Sequence, residues 1–506
     1  MAKTSNNRRR GSDNRKNRNH SRSGKADSRD MRKDDEVQNK RGKKYSADDA
    51  RGKTEAANDT SWYGGSSLLM QDAAKISFQT AAGVALRPTI YYKNGLNISN
   101  PDAEAAYAWP GIMTLDVAFG PGYSTGWEAP MNVAARKMYT FVRHVNSGHA
   151  NYDAANLMQY MLLMDSAFAF YAHMVRAYGL LTISLARNRY VPRDLCQSLD
   201  LSYDDLVQNM ASFKYYINSY AARLNTMAVP DIPIFKRHMW LFSNIYADTP
   251  NDKAQFYAFR PAFFWRHNVS STENYLEPWG VDDLPLTEGS KWTYQSFVDF
   301  GNSYLNELLN VEDWNIMSGD IMKAYGDRLF KVNPIADDYI TVPTYEPEIL
   351  MQIHNATVLG FKNITSLMDD KSMRIVEVAT EDTNGNSGYL KFAPVLVSPY
   401  TAVGPANCAI DPVIDMPVEN PDASLIAAAT RFTVSGSIDA LDYTKKTVSV
   451  IPDVMGCDFI LRAEIWTRYH GTFSSKDVYD GKPTSVGTIE VFEQRPMHYG
   501  ATFDLG

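Results

Sequence analysis

The stretch that most constrains this chain runs from Asp153 to Gly179, DAANLMQYMLLMDSAFAFYAHMVRAYG. Asp153 is a good helix N-cap, and Leu157, Met161, Met164, Phe168, Tyr171, Val175 and Tyr178 then follow the 3.6-residue period. The opposite face carries Met158 and Leu162 and is apolar as well. A helix of about 26 residues, roughly 39 Å long, with no polar face has to be wrapped by protein or lie in lipid. Gln159, Asp165, His173 and Arg176 argue for protein.

The segment before it predicts a partner helix, and so a helical hairpin. Pro130 can open a helix without losing a hydrogen bond, and Ala134, Met138, Phe141, Val142 and Val145 recur on one face up to Gly148. Arg136, Lys137, Arg143 and His144 take the other face. The three methionines 158, 161 and 164 read as core, because methionine fills irregular gaps between helices. A buried Asp165 needs a partner; Arg176 and Arg143 are the candidates, which makes these three residues an expected structural ion-pair node.

Further on, Ser202 and Asp205 have the spacing of a capping box ahead of the stripe Leu206, Met210, Phe213, Ile217, Tyr220, Leu224 and Met227, which Pro230 ends. Phe235, Met239, Phe242 and Tyr246 predict a shorter helix, and the aromatic run from Phe256 to Trp265 predicts burial. Thr293 can cap a helix with Phe297, Phe300, Tyr304 and Leu308 inside, and Ile321, Met322, Tyr325 and Leu329 continue the pattern. Residues 131–332 therefore read as mostly helical. From Trp62 to Ala129, by contrast, Gly, Pro and Asn punctuate short apolar stretches, which reads as irregular extended chain. After Pro343 the period changes to two, at Phe432/Val434, Val448/Val450 and Ile489/Val491, with Asn384-Gly385 as a turn signal.

Charge divides the chain in two. Residues 1–44 carry 16 Lys and Arg against 6 Asp and Glu, a net of +10; the rest, with 35 against 52, holds −17 beneath a formal total of −7. Residues 1–57 contain no Leu, Ile, Phe or Trp. They cannot bury enough surface to offset ordering entropy, which predicts a disordered arm. Its cations Arg8, Arg9, Arg10, Arg15, Lys16, Arg18, Arg22, Lys25, Arg29, Arg32 and Lys33 can follow phosphates without reading sequence; a solubilising tail or a nuclear-type address would look similar.

Chemical motifs are missing. Gly52-Lys53-Thr54 lacks the earlier glycine of a phosphate loop, and Ser318-Gly-Asp320 has no companion carboxylates, a helix N-terminus accounting for Asp320 equally well. His144, His149 and Asp153 surround a turn without a nucleophile motif, so a hydrolase reading stays weaker than a turn held by polar side chains. Cys196, Cys408 and Cys457 have no metal spacing and read as reduced packing residues. No signal peptide and no membrane-spanning run is visible, which points to an intracellular origin. No cofactor is expected.

The blocks Asn132-Val-Ala-Ala-Arg136, Arg143-His144, Asn146-Ser-Gly148, Asn151-Tyr-Asp153, Asp165-Ser166 and Arg176-Ala-Tyr-Gly179 resemble the shell domain of picobirnavirus capsid proteins. Asn58-Asp-Thr-Ser-Trp-Tyr63, Ile232-Pro-Ile-Phe-Lys-Arg-His-Met-Trp240 and Ser318-Gly-Asp-Ile-Met-Lys-Ala-Tyr-Gly326 extend the likeness, which thins toward the C-terminus; Ala429-Thr-Arg-Phe432 resembles a block near a return to the shell. The resemblance implies a mainly α-helical shell domain with a C-terminal β-rich, projecting portion. It divides the chain into a basic arm facing the particle interior (1–57), a shell domain (58–360) and a β-rich portion (361–506), part of it projecting and part returning. It also implies a coat subunit that assembles in the host cytoplasm, through homodimers, into an icosahedral virion around segmented double-stranded RNA, with the arm binding genomic RNA non-specifically. Some family members release an N-terminal peptide by self-cleavage and others retain it; no motif here chooses, and no enzyme activity is otherwise expected. The competing reading is a ribonucleoprotein factor with a basic tail and no shell, although no RNP-type or Gly-x-x-Gly signature accompanies it.

Overall fold

The computed structural model describes residues 107–146, 152–183, 191–247, 256–271, 273–279, 291–356, 373–379, 388–394, 396–399, 420–442, 447–455, 457–473, 476–491 and 502–504, with single residues at 254, 385 and 418. The basic arm, the block at Trp62, the turn around Gly148 and His149, Asn384 and Cys408 lie outside them.

The elements in chain order begin with β1 (Tyr107–Phe119), α1 (Pro130–Val145), α2 (Ala154–Leu181), α3 (Val191–Ser198), α4 (Tyr203–Gln208), α5 (Met210–Leu224) and α6 (Pro233–Ser243). Then come β2 (Tyr246–Ala247), β3 (Phe256–Pro261), β4 (Trp265–Val269), β5 (Asn274–Pro278), α7 (Tyr294–Leu309), α8 (Glu312–Tyr325), β6 (Thr344–Tyr345) and α9 (Pro347–His354). The last are β7 (Ile375–Val378), β8 (Tyr389–Lys391), β9 (Leu396–Pro399), α10 (Ala423–Ala429), β10 (Val434–Asp442), β11 (Thr447–Met455), β12 (Asp458–Phe473), β13 (Lys476–Val491) and β14 (Thr502–Asp504).

Helix α2 is the axis of the fold. Every one of its residues except Asn156 is buried, so the chain wraps the apolar cylinder on all sides. Asp153 opens it with a reciprocal capping box: its Oδ1 accepts from the Asn156 N–H at 2.9 Å, while its own N–H donates to Asn156 Oδ1 at 3.2 Å. Met158, Met161 and Met164 are all core. Around Phe170 stand Tyr220, Phe264, Trp292, Phe297 and Phe300, with ring centroids 4.8–6.0 Å away, mostly edge-on or tilted as the ring quadrupoles prefer. Thr293 caps α7 as its sequence predicts, and Phe297, Phe300, Tyr304 and Leu308 all point inward.

Three local expectations are corrected. The Ser202 side chain makes no cap bond; Asp205 instead accepts from the Tyr294 N–H at 2.7 Å, and the helix breaks at Asn209 into α4 and α5. Tyr246 leaves the helical stripe of α6 and sits fully buried in β2. Asp320 lies in the C-terminal half of α8, where its carboxylate accepts from the Tyr152 hydroxyl at 2.8 Å and its carbonyl from the Asn146 amide at 2.9 Å. It ties the α1–α2 hairpin to α8, and no helix N-terminus is involved.

The stretch 62–129 contains the largest correction. Residues 107–119 form β1, an interior strand of a seven-stranded sheet of order β14-β13-β12-β1-β3-β2-β6. Strand β1 runs parallel to β3 and antiparallel to β12. Every residue from Ile112 to Phe119 is buried, including Thr114 and Asp116. A strand covered on both faces shows no alternation, so its sequence reads as a plain apolar run between glycines and prolines. The remaining strands form two further sheets, β4-β5-β7-β8 and β10-β11-β9. Period-two alternation after Pro343 corresponds to β10, β11 and β13. Because β12 and β13 join β1, the seven-stranded sheet crosses the boundary drawn at residue 360.

A strap from Gly326 to Pro343 runs along α5 and the C-terminal half of α2. Asn218 on α5 and Asn225 at its C-cap, two turns apart, each bond both backbone groups of one strap residue. Asn225 takes the Val332 carbonyl at 2.8 Å and its N–H at 3.0 Å, and Asn218 does the same for Ile335 at 3.3 and 2.8 Å. At the strap's end the Thr341 N–H donates to the Gly179 carbonyl at 3.1 Å. A Cβ on Gly179 would stand 2.2 Å from Thr341 Oγ1 and 2.7 Å from its backbone nitrogen. Helix propensity alone favours Gly179→Ala by about 1 kcal/mol, whereas a contact this short displaces the strap and costs about 1–3 kcal/mol. The expected outcome is net destabilisation, read from thermal melts with increased proteolysis in 326–343; a stabilised variant would show that the close approach does not matter.

Candidate functional site

Two buried charge networks join the C-terminal strand β12 to the helical core. The first centres on His238. Pro233 opens α6, and its 3.6-residue period sets Phe235, His238 and Phe242 on the buried face. His238 Nδ1 donates to Asp165 Oδ2 of α2 at 2.5 Å, and Nε2 donates to Asp458 Oδ1 of β12 at 2.9 Å. Arg237 Nε donates to Asp458 Oδ2 at 2.7 Å and its Nη1 to Gln352 of α9 at 3.0 Å. Burial opposes the imidazolium, but Asp165 and Asp458 overcome it and raise His238 to about 9. Burial likewise acts to raise Asp458, while Arg237 and His238 hold its carboxyl well below the usual range. Asp165 is pushed up by burial, which His238 only partly offsets.

The second network is a row across three neighbouring strands. Asp116 of β1 is in register with Arg260 of β3 on one side and Arg462 of β12 on the other. Arg260 grips Asp116 through two bonds of 2.5 and 3.0 Å, reaches Glu464 at 2.5 Å and holds Asp200 at 2.7 Å. Arg462 Nε donates to Asp116 Oδ2 at 2.6 Å. Asp200 follows α3 in a left-handed conformation, φ 56°, and burial pushes its carboxyl up to about 6 against the pull of Arg260.

The residues singled out from sequence are distributed differently. Asp165 is buried and charge-paired, but its partner is His238 in place of Arg176. The Arg176 Nη1 donates to the Phe259 carbonyl at 2.7 Å and Nη2 meets His173 Nδ1 at 3.1 Å, tying α2 to β3. Burial brings the Arg176 guanidinium down to about 9. Arg143 lies on α1 beside Tyr152. His144 is exposed and Asp153 serves as the α2 cap, while His149 and the eleven arm cations lie outside the described residues. Sequence reasoning missed His238 and Asp458, whose partners are 73 and 220 residues apart along the chain. The available signal was a histidine at the buried spacing between Phe235 and Phe242.

Neither network is a catalytic centre. His238 has both nitrogens bonded to carboxylates and no exposure, so no substrate can dock against it. Among the described residues, no group of three or more His, Cys, Asp and Glu side chains is placed to hold a metal, and no helix is long and apolar enough to cross a membrane. The geometry describes a scaffold stapled by internal charge.

Comparison with known proteins agrees. The family model "Picobirnavirus, Capsid protein" matches residues 62–473. The capsid protein precursor of human picobirnavirus (strain Human/Thailand/Hy005102/-) is 30% identical over 420 residues, covering 80% of this chain and 74% of that one. The fold matches the X-ray crystallographic structure of the picobirnavirus capsid with a TM-score of 0.62, at 22% identity, over 84% of this chain and 82% of the other. A match over most of the length, on a scaffold with an enclosed axial helix and a sheet extended by its C-terminal strands, shows that this chain belongs to the picobirnavirus capsid protein family.

Proposed function

We propose that this coat protein assembles through homodimers into a closed icosahedral shell around a segmented double-stranded RNA genome, and that residues 1–57 form an interior arm that binds the RNA non-specifically. The observation that carries this reading is the division of charge, +10 in residues 1–44 against −17 in the rest, on a chain of a capsid family. Cations spaced along the arm offset phosphate repulsion as RNA condenses, and counterion release drives the association. The scaffold around α2 tiles the shell, with closed symmetry setting its contacts. A portion of residues 361–506 projects from the shell, and assembly takes place in the host cytoplasm. The chain works without a catalytic centre; release of the arm by self-cleavage, where it happens, is a maturation event.

Electron microscopy of the expressed full-length chain tests this directly, with closed isometric particles as the expected outcome. A species that sediments as a monomer at every salt and protein concentration would support the ribonucleoprotein reading instead.

A further inference from the structure

We infer that the junction of Asp165, His238 and Asp458 is a proton-dependent latch, holding the start of the C-terminal strand β12 to the axial helix α2 while His238 is charged and loosening it when that proton is lost. The argument begins from the ring. A neutral imidazole has one N–H and one lone pair, so it can donate to only one of two flanking carboxylates. Here both nitrogens point at carboxylate oxygens, at 2.5 and 2.9 Å, in a site with no solvent exposure. Loss of one proton to solvent therefore sets a lone pair against a carboxylate in one of the two contacts.

The groups around the ring decide which contact suffers. From β12, Asp458 is also bonded by Arg237 of α6, by the Cys457 thiol at 3.2 Å and by the Gly120 N–H at 3.4 Å, so it keeps partners. Gln352 of α9 engages Arg237, and Phe119 of β1 meets the imidazole edge-on at 5.0 Å without offering a charge. From α2 comes Asp165 alone, and its Oδ1 has no partner among the described residues. The remaining N–H stays with one acid, and among the described residues the buried charge on Asp165 has no paired cation but His238. Discharging the ring thus removes the bridge between α2 and β12 at the residue where the C-terminal strands enter the sheet.

The sign follows from linkage. His238 titrates near 9 in the fold, above its ordinary value of about 6.5. Its stabilisation is complete below about pH 6.5 and is lost as pH rises through about 9. Cys457 lies higher, at about 11, but Arg176 of α2, brought down to about 9, shares the window from pH 7 to 9.5. The histidine is told apart by where protection is lost, at β12 next to Asp458 and not at β3, where Arg176 is bonded.

The test is hydrogen–deuterium exchange of the full-length chain across that window, corrected for the intrinsic pH dependence of exchange. Amides of β12 next to Asp458 are expected to lose protection on the order of 10–100-fold, while the aromatic core around Phe170 keeps its own. Unchanged protection at β12, or a uniform loss throughout the molecule, overturns the latch. A second arm uses Asp165→Asn, whose amide can bond a neutral imidazole and so removes the need for the second proton. Its thermal midpoint should fall less steeply between pH 7 and 9.5 than that of the unaltered chain; an identical alkaline fall would assign the transition to other groups. Should this variant fail to fold, the exchange experiment on the unaltered chain decides alone.

Discussion

Replacement of Arg260 by alanine is expected to remove a large part of the subunit's stability and to lower the yield of soluble, assembly-competent protein. Among the described residues, Arg260 is the only side chain paired with all three acids of the second network, Asp116, Asp200 and Glu464. Without it, Arg462 still pairs with Asp116 at 2.6 Å and lies 3.7 Å from Glu464, Asp200 loses its ion pair, and Asp116 is buried at the interior strand of the sheet. Removing one partner of a buried pair and leaving the other charged costs about 3–5 kcal/mol, against a total stability of roughly 5–15 kcal/mol for a folded domain. The loss falls where β1, β3 and β12 meet, so it weakens the join of the C-terminal strands to the sheet as well as one local contact. Arg260→Lys restores charge without the planar fork that bonds Asp116 twice and should recover only part of the loss. Soluble yield and thermal midpoints of the three proteins check the order arginine, lysine, alanine. An alanine variant that melts with the unaltered chain would mean the row contributes nothing to stability.

The pattern of what the sequence discloses has a physical basis. Helix α2 was legible because a long segment apolar on every face has few solutions, and its cap was legible because Asp153 and Asn156 are local to it. The stripe of α7 was equally plain, since burial on one side writes a 3.6-residue period. Strand β1 was not, because burial on both sides erases the period-two signal and its flanking glycines and prolines resemble loop. The charge networks were hidden for a different reason. Asp165 announces that it needs a partner, but a buried acid does not say which distant cation the topology will bring to it. The nearby choice on the same helix, Arg176, was taken by the Phe259 carbonyl, and the true partner His238 came from α6. Long-range pairs of this kind are fixed by the sheet order, with β12 beside β1, and that order is written in no local pattern.

Deleting residues 1–44 is expected to leave particles able to form while sharply reducing the RNA they retain. Among the described residues, α2, its wrapping helices and the seven-stranded sheet are all built from residues beyond 106. Removal of the arm takes away a net +10 and leaves a body of −17, whose overall charge repels polyphosphate. Non-specific association that rests on neutralised phosphates weakens steeply with salt, with a slope near −0.9 per phosphate neutralised on B-DNA. Full-length particles should therefore hold RNA at low salt and lose it progressively as salt rises, and arm-deleted particles should hold little at any salt. Absorbance ratios and extracted RNA from purified particles over a salt series measure both effects. Substituting only the first cluster, Arg8, Arg9 and Arg10, should produce an intermediate slope, as expected of retention that scales with the number of cations. Equal RNA content in deleted and full-length particles across the salt series would remove the arm from genome retention and leave the acidic body to be explained some other way.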